Sequence, residues 1–224
     1  MEHRDWRGGW VVIAFALASS GLGAEVLSIA HRGNSMMAPE NTLAAFRAAE
    51  GKADMVETDV RVSADGALVL MHDATVTRTT DGTGNVSALT LAQLEALDAG
   101  SWFAPEFTGE RIPTLEEMVR TTLPFATPLI EHKAGTAAAY VAELRRLNVV
   151  TQVIVQSFDW NFLGAMAALE PAIPLCALGS GALDAGDLDR ITAAGARTVA
   201  WEKGGVTGPE VALVLDRGLQ LFVW

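Results

Sequence analysis

From residue 26 onward, short β-rich apolar runs alternate with stretches of helical periodicity, the arrangement expected of βα units wrapped around a parallel sheet. Strand candidates fall at 26–31, 55–62, 67–72, 128–132, 152–158, 173–178, 197–201 and 219–224. Helical periodicity is carried by 41–50, 115–122, 137–147, 161–169, 187–194 and 209–217, and Gly51, Gly195 and Gly218 stand where helices would stop. Strands with interposed helices in this number predict an α/β protein of the (β/α)8, or TIM-barrel, class. Two departures are expected. The second and third strand candidates are joined by Ser63-Ala64-Asp65-Gly66 alone, a turn with no room for a helix. The last candidate ends at Trp224 with no covering helix after it, so the expectation is either a C-terminally incomplete version of the barrel or a last strand left partly uncovered.

Active sites of such barrels are assembled on the loops that follow the strands. The segment at about 73–113, rich in Thr, Gly and Trp, reads as a small insertion after the third strand, where substrate recognition is expected.

The first 24 residues have a different character. Arg4 and Arg7 precede an apolar run at 10–18, and the small-residue stretch Ser19-Ser20-Gly21-Leu22-Gly23-Ala24 follows it. This order predicts a signal peptide at 1–24, cleaved after Ala24, and therefore a secreted or periplasmic protein with its globular domain at 25–224. The apolar run is short for a membrane span, which disfavours a stable anchor; the alternative is a buried or amphipathic N-terminal extension.

The net charge of −11 survives removal of that segment, because two bases (Arg4, Arg7) leave with two acids (Glu2, Asp5). So acidic a chain, with no clustered Lys or Arg, excludes nucleic acid as the expected partner. An anionic small molecule would need a local device, a metal or a few placed cations. The single Cys176 lies in an apolar run and reads as a small buried hydrophobe.

Candidate chemistry sits where strands end. His31 closes the first candidate, Glu57 and Asp59 lie in the second, His72 closes the third, and Glu131 and Lys133 stand at the end of the fourth. Glu57 and Asp59 are two apart, so in a strand both point to one face, and in a barrel that face is the interior. Three carboxylates without a thiolate suit one hard divalent cation, Ca²⁺ or Mg²⁺; structural ion pairs with Arg32, Arg61 or Lys133 are the alternative. Two histidines flanking the carboxylates suit an acid–base couple, and Arg32 and Lys133 suit phosphate oxygens. His132 points to the opposite face of its strand and reads as structural, whereas His3 falls in the leader.

At this point the sequence resembles a known family. H-R-G at 31–33, A-P-E-N-T at 38–42, E-T-D at 57–59, H-D-x4-R-T-T-x-G-x-G from His72 to Gly84, D-A-G-S-W-F at 98–103, I-P-T-L-E-E at 112–117, E-x-K at 131–133, Q-S-F at 156–158 and Trp224 occur in the order seen in glycerophosphodiester phosphodiesterases. The resemblance implies a TIM barrel acting on a small-molecule glycerophosphodiester, with Glu57, Asp59 and Glu131 on the metal. It further implies His31 and His72 as the catalytic pair, Arg32 and Lys133 on the phosphate, and Trp102, Phe103 and Trp224 as substrate contacts. For Trp102 and Phe103, packing within the insertion is an equal alternative. The family pattern would continue past Trp224 into a further helix.

Overall fold

The computed structural model of the chain describes residues 13–16 and 25–224. Apart from Ile13–Ala16, the expected leader lies outside the described residues. In chain order the strands are β1 (Ile13–Ala16), β2 (Glu25–Ala30), β3 (Met55–Val62), β4 (Leu68–Leu70), β5 (Thr127–His132), β6 (Ile154–Ser157), β7 (Leu175–Gly179), β8 (Thr198–Trp201) and β9 (Gln220–Val223). The helices are α1 (Leu43–Arg47), α2 (Leu91–Glu95), α3 (Leu115–Thr122), α4 (Ala137–Leu147), α5 (Trp160–Leu169), α6 (Ala185–Ala193) and α7 (Gly208–Asp216).

β2, β3, β5, β6, β7, β8 and β9 pair in parallel, each with the next. β1 pairs antiparallel with both β9 and β2, which closes the ring into a barrel. The third strand candidate is the one placed differently. β4 folds back antiparallel on β3 and takes no place among the parallel staves. The reason is connection length: a parallel crossover needs about a dozen residues, and residues 63–67 supply five, the turn Ser63–Gly66 being tightened by a Ser63 Oγ hydrogen bond to Asp65 Oδ1 at 2.6 Å.

Helices form where a cap and an apolar stripe coincide. α3 opens on a capping box in which Thr114 Oγ1 receives the Glu117 amide and Glu117 reaches back to Thr114. It buries Leu115, Met118, Val119 and Thr122, spaced to share one face. α4 repeats the pattern with Ala137, Tyr140, Val141 and Leu144 after its Thr136 cap, and ends on Asn148 at φ 59°, a left-handed stop that Asn tolerates.

Strand alternation then sorts two cores. Val56, Val60, Ile130, Val155, Ala177, Val199 and Leu221 face outward and pack with the helices in the main core. Ile29, Met55, Leu129, Cys176, Leu178, Ala200 and Phe222 form a separate cluster that fills the barrel interior. Cys176 is fully buried in it, and burial pushes its thiol pKa up, as befits a small apolar side chain. The insertion carries a third core of Val69, Met71, Val76, Val86, Leu94, Ala99 and Ile112.

Candidate functional site

Above the apolar interior, at the C-terminal ends of the strands, the same inward face turns polar. On β3 the inward series runs Met55, Glu57, Asp59, and on β5 it runs Leu129, Glu131, with Lys133 one residue past the strand end. Asp59 pairs in register with Glu131, so their side chains start from adjacent positions. Oxygens of Glu57, Asp59 and Glu131 come within 4.8 Å of one another, and all three residues are buried. Among the described residues Glu57 Oε1 has no hydrogen-bond partner. Asp59 Oδ1 and Glu131 Oε1 face Lys133 Nζ at 3.2 and 2.5 Å without forming well-aligned hydrogen bonds.

Such crowding is costly, several kcal/mol per buried ion without compensation, and it shows in the proton affinities. Burial, then the charges of Asp59 and Glu131, push the Glu57 pKa well above the ordinary carboxylate range. Burial and Asp59 also raise Glu131. Asp59 goes the other way: burial alone would raise it, but Arg32 and Lys133 outweigh that and hold it low. An arrangement that keeps three carboxylate oxygens close and partly unpaired favours a hard cation among them.

The turn after β2 supplies the next groups. Arg32 adopts φ 56° and Gly33 φ 75°, and a Cβ at Gly33 would lie 2.7 Å from the carbonyl carbon of Ala45 in α1. Only glycine lets this turn sit on the helix. The turn is anchored to β3 by the Arg32 amide, which donates to Glu57 Oε2 at 2.9 Å, and by the Gly33 amide, which donates to the Glu57 carbonyl at 3.1 Å. Arg32 Nε lies 3.3 Å from Asp59 Oδ2. His31 Nε2 stands 4.0 Å from Glu57 Oε2, and burial, then Arg32, bring its pKa down to about 4. The residue before His72 is tied to the same strand, since the Met71 amide donates to the Asp59 carbonyl at 3.0 Å.

His72 follows β4, and the hairpin therefore carries it back to the same mouth. Its carbonyl accepts from Arg61 Nε and Nη2 at 3.0 and 2.6 Å, so Arg61 serves His72 and is not a partner of the carboxylates. Arg32 and Lys133 do contact the acids, and the expected ion-pair alternative is realised there side by side with the cluster.

The aromatic candidates divide. Trp102 donates its indole N–H to the Ala99 carbonyl at 2.9 Å and packs edge-on against Phe103, which in turn packs edge-on against Phe107; these contacts belong to the insertion. Trp224 packs edge-on against the half-exposed Phe158, at the ends of β9 and β6. His132 is structural as expected, stacked on Phe162 with ring centroids 3.6 Å apart and bonded to Ser157 and Gly135.

Four side chains carry geometry that strand-end polarity did not single out. Asn41, at φ 57°, donates to Asp59 Oδ2 at 2.8 Å and accepts from Thr58 Oγ1 at 2.8 Å, aiming the Asp59 carboxylate. Glu40 receives Arg32 and Arg78, and Asp73 receives Arg78 and faces His72. The signal for them was present in A-P-E-N-T and H-D-x4-R, motifs whose members were recognised without individual roles.

With this geometry in view, comparison with known proteins is informative. Residues 31–224 match the model of the glycerophosphoryl diester phosphodiesterase family. A glycerophosphodiester phosphodiesterase of Bacillus subtilis is 36% identical over 169 residues, covering 66% of this chain and 58% of its own length. One from Caldanaerobacter subterraneus is 38% identical over 160 residues, covering 67% of this chain and 65% of its own length. The chain thus spans less than two thirds of either relative. A phosphodiesterase of Oleispira antarctica, solved in complex with the product sn-glycerol-3-phosphate, superposes with a TM-score of 0.79 at 31% identity, covering 86% of this chain and 81% of that one.

Proposed function

The chain belongs to the glycerophosphoryl diester phosphodiesterase family, and from that premise we propose that it hydrolyses glycerophosphodiesters to glycerol 3-phosphate and an alcohol such as choline or ethanolamine. The observation that carries this reading is the meeting of three buried carboxylates, His31 and two cations at one barrel mouth, with His72 next to Met71, whose amide bonds to the Asp59 carbonyl. The product bound by the Oleispira antarctica relative is of the same chemical class.

In this reading Glu57, Asp59 and Glu131 hold one divalent cation, Ca²⁺ or Mg²⁺. The donors fit: all are hard oxygens, and Glu57 Oε1 is buried without a partner among the described residues. When bound, the cation would offset negative charge that builds on the phosphoryl oxygens. Arg32 offers a planar fork to those oxygens and Lys133 a point charge. The glycerol hydroxyl next to the phosphate gives its proton to one histidine as it attacks phosphorus. The other histidine protonates the departing alcohol, and water then opens the cyclic phosphate. Asn41 keeps the Asp59 carboxylate aimed throughout. Residues 1–24 read as an export signal whose cleavage would also remove β1, the strand between β2 and β9, and the reading includes a secreted or periplasmic location. N-terminal sequencing of the exported protein should begin at Glu25, whereas a retained leader would contradict export.

The test of the reaction is glycerol 3-phosphate release from glycerophosphocholine by the purified chain, beside His31→Ala and His72→Ala. Each substitution should lower kcat by about 100-fold or more with the fold intact. Unchanged turnover in both variants would remove the histidines from the chemistry, and no turnover of any glycerophosphodiester by folded chain would remove the reading itself.

A further inference from the structure

A chain of alternating charges runs around the outside of the mouth and ends on one histidine. His72 Nδ1 lies 2.8 Å from Asp73 Oδ1. Arg78 donates through Nε to Asp73 Oδ2 at 2.6 Å and through Nη2 to Asp73 Oδ1 at 3.3 Å. The far side of the same guanidinium donates to Glu40 Oε2 and Oε1 at 2.9 and 2.8 Å. Glu40 Oε1 also receives Arg32 Nη1 at 2.9 Å. The network thus joins the insertion, which holds Asp73 and Arg78, to the turn after β2, which holds Arg32 and Glu40.

We propose that Asp73 is a positioning residue that fixes neutral His72 with its proton on Nδ1, leaving Nε2 for the substrate, and that Arg78, gripped by Glu40, is the strap that keeps Asp73 in place. The inference rests on the reading of His72 as a proton-transfer residue, and it deepens that reading by naming which nitrogen transfers the proton.

The tautomer follows from donor and acceptor chemistry. An ionised carboxylate only accepts, so the nitrogen facing it must carry the hydrogen. Asp73 is firmly ionised: its hydrogen bond from Arg78 outweighs burial, and with His72 holds its pKa at about 2. Nε2 makes no hydrogen bond among the described residues, and is therefore free to take a proton from a hydroxyl or, once charged, to return one. Arg61 holds the His72 carbonyl from the other side, so backbone and ring are fixed independently. Arg78 is suited to its place because its planar fork offers paired N–H donors in fixed directions to two carboxylates, whereas Lys offers a point charge without that geometry. Were Asp73 only the partner of Arg78 in a surface ion pair, no ring nitrogen would be expected at 2.8 Å from it.

The test is ¹⁵N NMR of the imidazoles in the full chain at about pH 8, above the ordinary histidine range, with His72 assigned by its loss in His72→Gln. Wild type should show His72 protonated on Nδ1. Asp73→Asn, whose amide can donate to that nitrogen, should move the proton to Nε2 and lower kcat by about 100-fold while KM changes little. Arg78→Gln should leave the tautomer mixed and lower kcat by about 10-fold, and it carries the test if Asp73→Asn does not fold. A wild-type ring protonated on Nε2, or an unchanged tautomer in both variants, overturns the proposal. So does a loss confined to KM. Because the spectrum needs no turnover, an inactive chain would count against the phosphodiesterase reading while the tautomer still decides this one.

Discussion

The floor and the mouth of the barrel are built on the same strands, two residues apart, and obey opposite rules. Leu129 and Met55 fill the interior with side chains that need nothing from their neighbours but shape. Glu131 and Glu57, one inward step further along, and Asp59, two steps along, crowd like charges into a buried space and leave oxygens without well-formed hydrogen bonds. The floor lowers the free energy of folding, and the mouth gives up some of that stability by holding buried carboxylates close together.

The difference can be broken by substitution at neighbouring positions. Glu131→Gln keeps size and shape at the mouth and should lower kcat by about 10³-fold, with circular dichroism and elution volume unchanged; retained turnover would remove Glu131 from the site. Leu129→Ala opens a cavity in the floor and should cost about 3 kcal/mol in urea unfolding, while kcat of the folded fraction stays near wild type. A larger effect on kcat than on stability would mean that floor and mouth are not separable.

Smaller effects sharpen the contrast. At 100 times its dissociation constant, Ca²⁺ or Mg²⁺ should stabilise wild type by about 2.7 kcal/mol, read as a rise in melting temperature, and should stabilise Glu57→Gln clearly less. Equal shifts in both would place the cation elsewhere. The smallest effect concerns the rim. Asp73 has a folded pKa of about 2, below the unfolded value of about 3.9. Its contribution is therefore complete above the unfolded value and is lost as pH falls through about 2. The stability gap between wild type and Asp73→Asn should narrow across that window, and a gap independent of pH would contradict the ion pair.

How much was legible depended on whether a residue lay on a periodic element. Glu57, Asp59 and Glu131 stood out because charge on an inward strand position breaks an apolar alternation, and the register of β3 with β5 joined them as expected. The helices α3 and α4 were readable to the residue because cap and stripe agree. β4 was located in sequence yet counted with the barrel staves, since a strand's own pattern does not say which partner it takes; only the four-residue turn before it did. Glu40 and Arg78 were not readable as a pair. They lie 38 residues apart on loops, and an ion pair between loops leaves no periodic trace. Trp102 and Phe103 pack within the insertion, where Asp98 accepts the amides of Gly100, Ser101 and Gly109 and shapes the turn that presents them.

On the proposed reading, the carboxylate mouth works through a bound divalent cation. Its most direct test is the rate of glycerol 3-phosphate release from glycerophosphocholine by chelator-treated wild type as Ca²⁺ or Mg²⁺ is returned, beside Glu57→Gln. The account predicts no turnover in chelator, a saturable return of activity in wild type and little return in the variant. Full activity that persists in excess chelator would contradict it.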